Sequence, residues 1–161
     1  FESEMDARIK TRRKMEIDLR KAIVNGELTA YYQPIVDLQS NEIASLEALV
    51  RWHHPERGMI PPSEFISIAE ETGLIVPLGE WVLRQACADA ANWPDRVNIA
   101  VNFSPIQFQG ENLPQIVVNA LATSGVAPSR LELEVTEAML LQDNESNASD
   151  RKSTRLNSSH T

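Results

Sequence analysis

The stretch Ser45-Leu46-Glu47-Ala48-Leu49-Val50-Arg51-Trp52 decides how the rest of this chain is read. It is an apolar run carrying one acid and one base, and its length suits a strand. Side chains alternate across a strand. Glu47, Leu49 and Arg51 therefore share one face, and Leu46, Ala48 and Val50 share the other. Charged groups on a half-buried strand need a partner, a ligand or a metal to offset the hydration they lose. For this strand taken alone, a structural Glu47–Arg51 pair serves as well as a ligand site.

Two later stretches repeat the pattern. In Asn98-Ile99-Ala100-Val101-Asn102-Phe103-Ser104, an apolar face of Ile99, Val101 and Phe103 opposes the small, polar face of Asn98, Ala100, Asn102 and Ser104. In Leu131-Glu132-Leu133-Glu134-Val135-Thr136-Glu137, the residues Leu131, Leu133 and Val135 oppose Glu132, Glu134 and Thr136. Each strand thus carries an oxygen-bearing side chain near its C-terminal end: Glu47, Asn102 and Glu134. Carboxylate and amide oxygens are the ligands that hard divalent cations such as Mg²⁺ or Mn²⁺ take. Strand C-terminal ends are where a barrel of alternating strands and helices places its chemistry.

Several motifs then agree in order and spacing. They are Tyr31-Tyr32-Gln33-Pro34-Ile35-Val36; Glu47-Ala48-Leu49-Val50-Arg51-Trp52; Pro62-Ser63-Glu64-Phe65-Ile66 with Ala69-Glu70 and Gly73-Leu74-Ile75; Val101-Asn102-Phe103-Ser104; and Glu134-Val135-Thr136-Glu137. Together they resemble the first half of the EAL domain, the bacterial phosphodiesterase family that opens cyclic di-guanylate. The resemblance runs from about Gly26 to about Glu145. It implies an α/β fold: an incomplete TIM-like (β/α) barrel with an antiparallel first strand, preceded by a linker helix. It implies Mg²⁺ or Mn²⁺ held by Glu47, Asn102 and Glu134. Gln33 and Arg51 would contact the substrate, with Arg51 on a phosphate, and Glu137 would anchor the loop that follows its strand. The implied reaction is hydrolysis of cyclic di-guanylate to linear pGpG by metal-activated water.

The family's later Asp-Asp-Phe-Gly segment, its assisting Lys and its last Glu ligand have no counterpart in these 161 residues. The resemblance therefore implies that this polypeptide alone is inactive. The alternative is a non-catalytic EAL module that acts as a cyclic di-guanylate receptor or binds a protein. The family also implies an upstream cyclase-like or sensor domain in a longer parent, and allows a homodimer of the intact domain.

Composition sets the outer limits. A complete (β/α)₈ barrel needs ~250 residues, so 161 residues fall short of closing one. An apolar share of 42% is ordinary for a globular chain. No apolar run reaches the ~18 residues of a membrane span, and Phe1-Glu2-Ser3-Glu4 does not begin a signal peptide. Tethering of a parent through upstream segments stays open. The lone Cys87 excludes an internal disulfide, suits a reducing cytoplasm, and reads as a small buried hydrophobe. A formal charge of −8 argues against general nucleic-acid binding, which relies on basic patches.

The chain divides into a linker helix over 1–26, the N-terminal part of the barrel over 27–145, and a non-native or disordered tail over 146–161, rich in Ser, Asn and basic residues. Met15, Leu19, Ala22 and Ile23 predict the buried stripe of a helix from Glu4 to Asn25, stopped at Gly26, with the basic side chains in solvent. A close turn at 39–42 predicts an antiparallel hairpin of Thr29–Leu38 with Ile43–Trp52. His53 to Gly58 reads as a loop, without zinc-type spacing around its two histidines. Helices follow from Pro62 to Thr72, Leu78 to Trp93 and Leu113 to Ser124. Alternating helices and strands predict a parallel layout.

Overall fold

A computed structural model describes residues 3–110, 112–136 and 153–157. Its first helix, α1 (Glu4–Asn25), starts where the Ser3 hydroxyl accepts the Asp6 N–H and ends at Gly26, whose φ of 74° is the left-handed turn that glycine adopts without strain. Met15, Leu19 and Ala22 are buried, while Arg8, Lys10, Arg12, Arg13, Lys14 and Lys21 are all exposed. This is the stripe and the solvated basic face that the spacing predicts.

The hairpin of β1 (Leu28–Val36) and β2 (Ile43–His54) is antiparallel. The His53–Gly58 loop needs correcting. β2 continues through His54, and the chain turns back into a short strand, β3 (Gly58–Ile60), paired antiparallel with it. The His54 Nδ1 accepts the backbone N–H groups of Glu56 and Arg57, both at 3.1 Å, and so closes the turn. Such a side-chain closure leaves no trace in hydrophobic alternation.

Helix α2 (Pro62–Thr72) buries Phe65, Ile68 and Ala69, and α3 (Ile75–Ala90) buries Leu78, Val82, Leu83, Ala86 and Cys87. α3 begins and ends three residues earlier than its predicted span of Leu78 to Trp93. Pro77 looks like a stop, yet a proline in the first helical turn costs nothing, because the N–H it lacks would have no partner there. Trp93 lies past the helix, edge-on to Tyr32 with ring centroids 4.9 Å apart.

Strand β4 (Asn98–Phe103), the single turn α4 (Pro105–Phe108), α5 (Leu113–Ser124) and β5 (Leu131–Thr136) complete the alternation. β6 (Ser153–Asn157) pairs antiparallel with β5. Reading 146–161 as lying outside the fold did not anticipate that strand. The sheet order is β1-β2-β4-β5-β6, with β3 off this path and paired with the C-terminal end of β2. β2–β4 and β4–β5 are parallel. The result is a mixed α/β sheet whose first strand is antiparallel.

Apolar residues of one sheet face, Ala48, Ile99, Val101, Phe103, Leu131 and Leu133, pack beneath α3 and α5. A second cluster gathers Met15, Leu19, Trp52, Phe65 and Leu78 between α1, α2 and the end of β2. Arg130 is buried, donating through Nε and a terminal nitrogen to the carbonyls of Val97, Ala90 and Pro94. Among the described residues, no helix is long and apolar enough to cross a membrane.

Cys87 is fully buried, and that burial raises its thiol from 9.0 to about 11. Its contribution to stability is complete below pH 9 and is lost as pH rises through about 11. We expect the wild-type chain to lose roughly 2 kcal/mol more than Cys87→Ala between those limits, an estimate from the linkage relation. Urea midpoints measured across that range check it. Parallel curves for the two proteins would show that the thiol is not desolvated.

Candidate metal centre

Sheet register brings the candidate side chains to one face. Gln33 on β1 is level with Glu47 on β2, and Glu47 is level with Ala100 on β4. Asn102, two residues further along β4, is level with Glu134 on β5. Directly opposed residues point to the same side of a sheet, so Gln33, Glu47, Asn102 and Glu134 share the face that α3 and α5 do not cover. Burial grows across the sheet: Gln33 is exposed, Glu47 and Asn102 are half-buried, and Glu134 is buried.

Asn102 carries the most informative geometry. Its Nδ2 donates to Glu47 Oε1 at 2.9 Å. With the amide nitrogen committed, its Oδ1 is buried and accepts no hydrogen bond. A buried acceptor left without a donor costs about 1–3 kcal/mol. An oxygen lone pair held beside a carboxylate, and left without a donor, is the arrangement a hard cation satisfies. Two carboxylates and one amide form the candidate ligand set. Among the described residues, no three His, Cys, Asp or Glu side chains gather as a metal cluster.

Arg51 does not take the structural role that its strand allows. Among the described residues no ion pair joins it to Glu47. Its guanidinium sits 5.7 Å from the ring centroid of Tyr31 and donates to the Val50 carbonyl at 3.0 Å. A cation stacked on an aromatic face keeps its remaining donors for an anion. Arg51, Asn102, Ser104 and Gln107 also border a cavity of about 230 Å³, but its lining is chiefly apolar and comes from α2 and α3, including Ile66, Ile75, Leu78 and Val82. A larger one, about 680 Å³, opens between Ile23, Trp81, Arg84 and Ser124 on the helical side, away from every candidate ligand.

His54 is engaged elsewhere. Its Nε2 lies 3.0 Å from Asp18 of α1, and its Nδ1 holds the turn. Glu137 lies outside the described residues. Tyr31 and Glu70 stood in the motifs without a role of their own, and Gln107 was not singled out. Ser104-Pro105-Ile106-Gln107 has the spacing of a capping box, which is formed here and was legible. Nothing local marks Glu70 as a partner of Ser104.

A mixed sheet with an antiparallel first strand, helices over one face and oxygen-bearing strand ends defines an α/β domain of the TIM-barrel type, whose described strands form an open sheet. Residues 16–160 match the EAL domain, and the chain belongs to that family. It is 50% identical over 155 residues to the uncharacterized protein y4lL of Sinorhizobium fredii, covering 96% of this chain and 19% of that protein. It is 43% identical over 147 residues to MucR, a bifunctional diguanylate cyclase/cyclic di-GMP phosphodiesterase of Pseudomonas aeruginosa, covering 89% of this chain and 22% of MucR. The chain thus spans about a fifth of these relatives' length. The solved MucR phosphodiesterase in complex with c-di-GMP superposes with a TM-score of 0.69 at 43% identity, over 73% of this chain and 49% of that one.

Proposed function

We propose that this chain is the N-terminal part of a phosphodiesterase domain that hydrolyses cyclic di-guanylate. The observation that carries the reading is the orphaned Asn102 oxygen beside Glu47, with Glu134 level on the next strand. Glu47, Asn102 and Glu134 would hold Mg²⁺ or Mn²⁺. Such a cation, when bound, offsets phosphodiester charge and acidifies a coordinated water. The chain's own residues do the rest. Arg51, set by Tyr31, binds a phosphate oxygen. Gln33, exposed and level with Glu47, orients the substrate from the first strand. The Asn102 amide N–H holds the Glu47 carboxylate in its rotamer. The setting we assign is the cytoplasm, downstream of a sensor or cyclase-like domain.

A receptor module without catalysis is the second reading. Keeping Glu47, Asn102 and Glu134 together favours the enzyme, because a receptor is free to lose any of them.

The purified 161-residue chain should bind Mn²⁺ weakly and produce no linear pGpG, since it has no counterpart of the family's later Asp pair, Lys and final Glu. Chromatography of a cyclic di-guanylate incubation checks this. Linear product that tracks the pure chain would overturn the division of the site between this segment and later residues.

A further inference from the structure

We infer that Glu70 is a positioning residue for Asn102, acting through Ser104; this rests on reading Asn102 as a metal ligand. Ser104 follows Asn102 by two residues, comes directly after the last residue of β4 and is 2% exposed. Its polar groups are all engaged. The backbone N–H donates to Gln107 Oε1 at 2.8 Å, and the backbone carbonyl accepts from the Gln107 N–H at 3.0 Å. The hydroxyl oxygen accepts from the Ile106 N–H at 3.4 Å, and the hydroxyl donates to Glu70 Oε2 at 2.8 Å.

The first three bonds make an ordinary helix cap for α4. The fourth does not belong to a cap. It comes from α2, 34 residues away in sequence, and engages a carboxylate that no described cation pairs with. A third element closes the arrangement. Gly79 of α3 lies so close to Gln107 that a Cβ there would meet its Nε2 at 1.8 Å. Helices α2 and α4 thus bond the residue that follows the Asn102 strand, and α3 packs against the Gln107 side chain of that cap. Outer partners that fix a ligand's orientation typically carry about 10- to 100-fold of metal affinity or activity. Geometry at such sites has to hold within about 0.5 Å.

The test uses the full-length protein that carries this segment, with Mn²⁺ as the probe. Its affinity is read by electron paramagnetic resonance and fold stability by metal-free melting. We expect Glu70→Ala and Ser104→Ala each to weaken Mn²⁺ about tenfold, with the double variant no weaker than either single one. Glu70→Gln keeps an acceptor oxygen and should stay within about threefold of wild type. If Glu70→Ala folds poorly, Ser104→Ala cuts the same bond from the other side. Unchanged Mn²⁺ affinity in folded Glu70→Ala and Ser104→Ala, alongside loss in Asn102→Ala, overturns the positioning role and leaves the ligand reading standing. Unchanged affinity in Asn102→Ala overturns both. An equal loss in Glu70→Gln and Glu70→Ala shows that the hydroxyl–carboxylate bond is not what matters, and also overturns the inference.

Discussion

Asn102→Ala, in the full-length protein, should lower kcat/KM for cyclic di-guanylate by more than the ~10²-fold that loss of a mere outer-shell partner can cost. The fold should survive. The substitution removes one hydrogen bond to Glu47, worth about 1 kcal/mol net, but also removes the buried Oδ1 that has no donor. These terms oppose one another, so metal-free stability should move by less than about 1 kcal/mol. Function and stability therefore separate at this position, as expected where a site keeps an unsatisfied group for a ligand. Glu47→Gln should behave alike, since its remaining oxygen carries no charge for a cation. Mn²⁺ titration beside thermal melting checks both variants. Wild-type Mn²⁺ affinity in Asn102→Ala would remove the amide from the site.

Trp52→Ala should show the opposite separation, with a loss of about 3–5 kcal/mol in stability. Trp52 is fully buried, meets Phe65 edge-on at 5.6 Å and 89°, and donates its indole N–H to Glu27 Oε1 at 3.1 Å. Its removal leaves a cavity among Met15, Leu19 and Leu78 and strands the Glu27 acceptor. Set against a typical domain stability of about 5–15 kcal/mol, this is a large share. Trp52 follows Arg51 directly, so the strand end that presents the guanidinium loosens with it. Trp52→Phe, which refills most of the volume, should recover a good part of the loss. Urea unfolding of the three proteins decides it. A cost under about 1 kcal/mol for Trp52→Ala would mean that the cluster repacks around the gap.

Tyr32 shows how a family motif residue can be structural. Its hydroxyl donates to Asp89 of α3, and Gln85 donates to the other Asp89 oxygen at 3.0 Å. Burial, together with that carboxylate, pushes the phenol far above its usual range. Tyr32 therefore ties β1 to α3 and keeps its proton. Its neighbour Tyr31, on the opposite face, supports Arg51 instead. Alternation separates the two roles, and identity of residue type does not.

What the sequence alone determined is what local chemistry encodes. Period-two alternation marked β4 and β5 and put Glu47, Asn102 and Glu134 on faces opposite the apolar ones. Gly26, Gly73 and Gly125, all with positive φ, marked three helix ends. The order of its motifs pointed to the family. Tertiary structure decided whatever depends on partners distant in the chain. It brought the Asn102 amide to Glu47 across 55 positions, and Glu70 to Ser104 across 34. It drew Arg51 onto Tyr31 rather than Glu47, and turned His54 from a suspected loop residue into the clasp between β2 and α1. The physical reason is range. Backbone preference and face alternation act over a few residues, whereas register and side-chain pairing are settled only when the whole sheet and its helices pack at once.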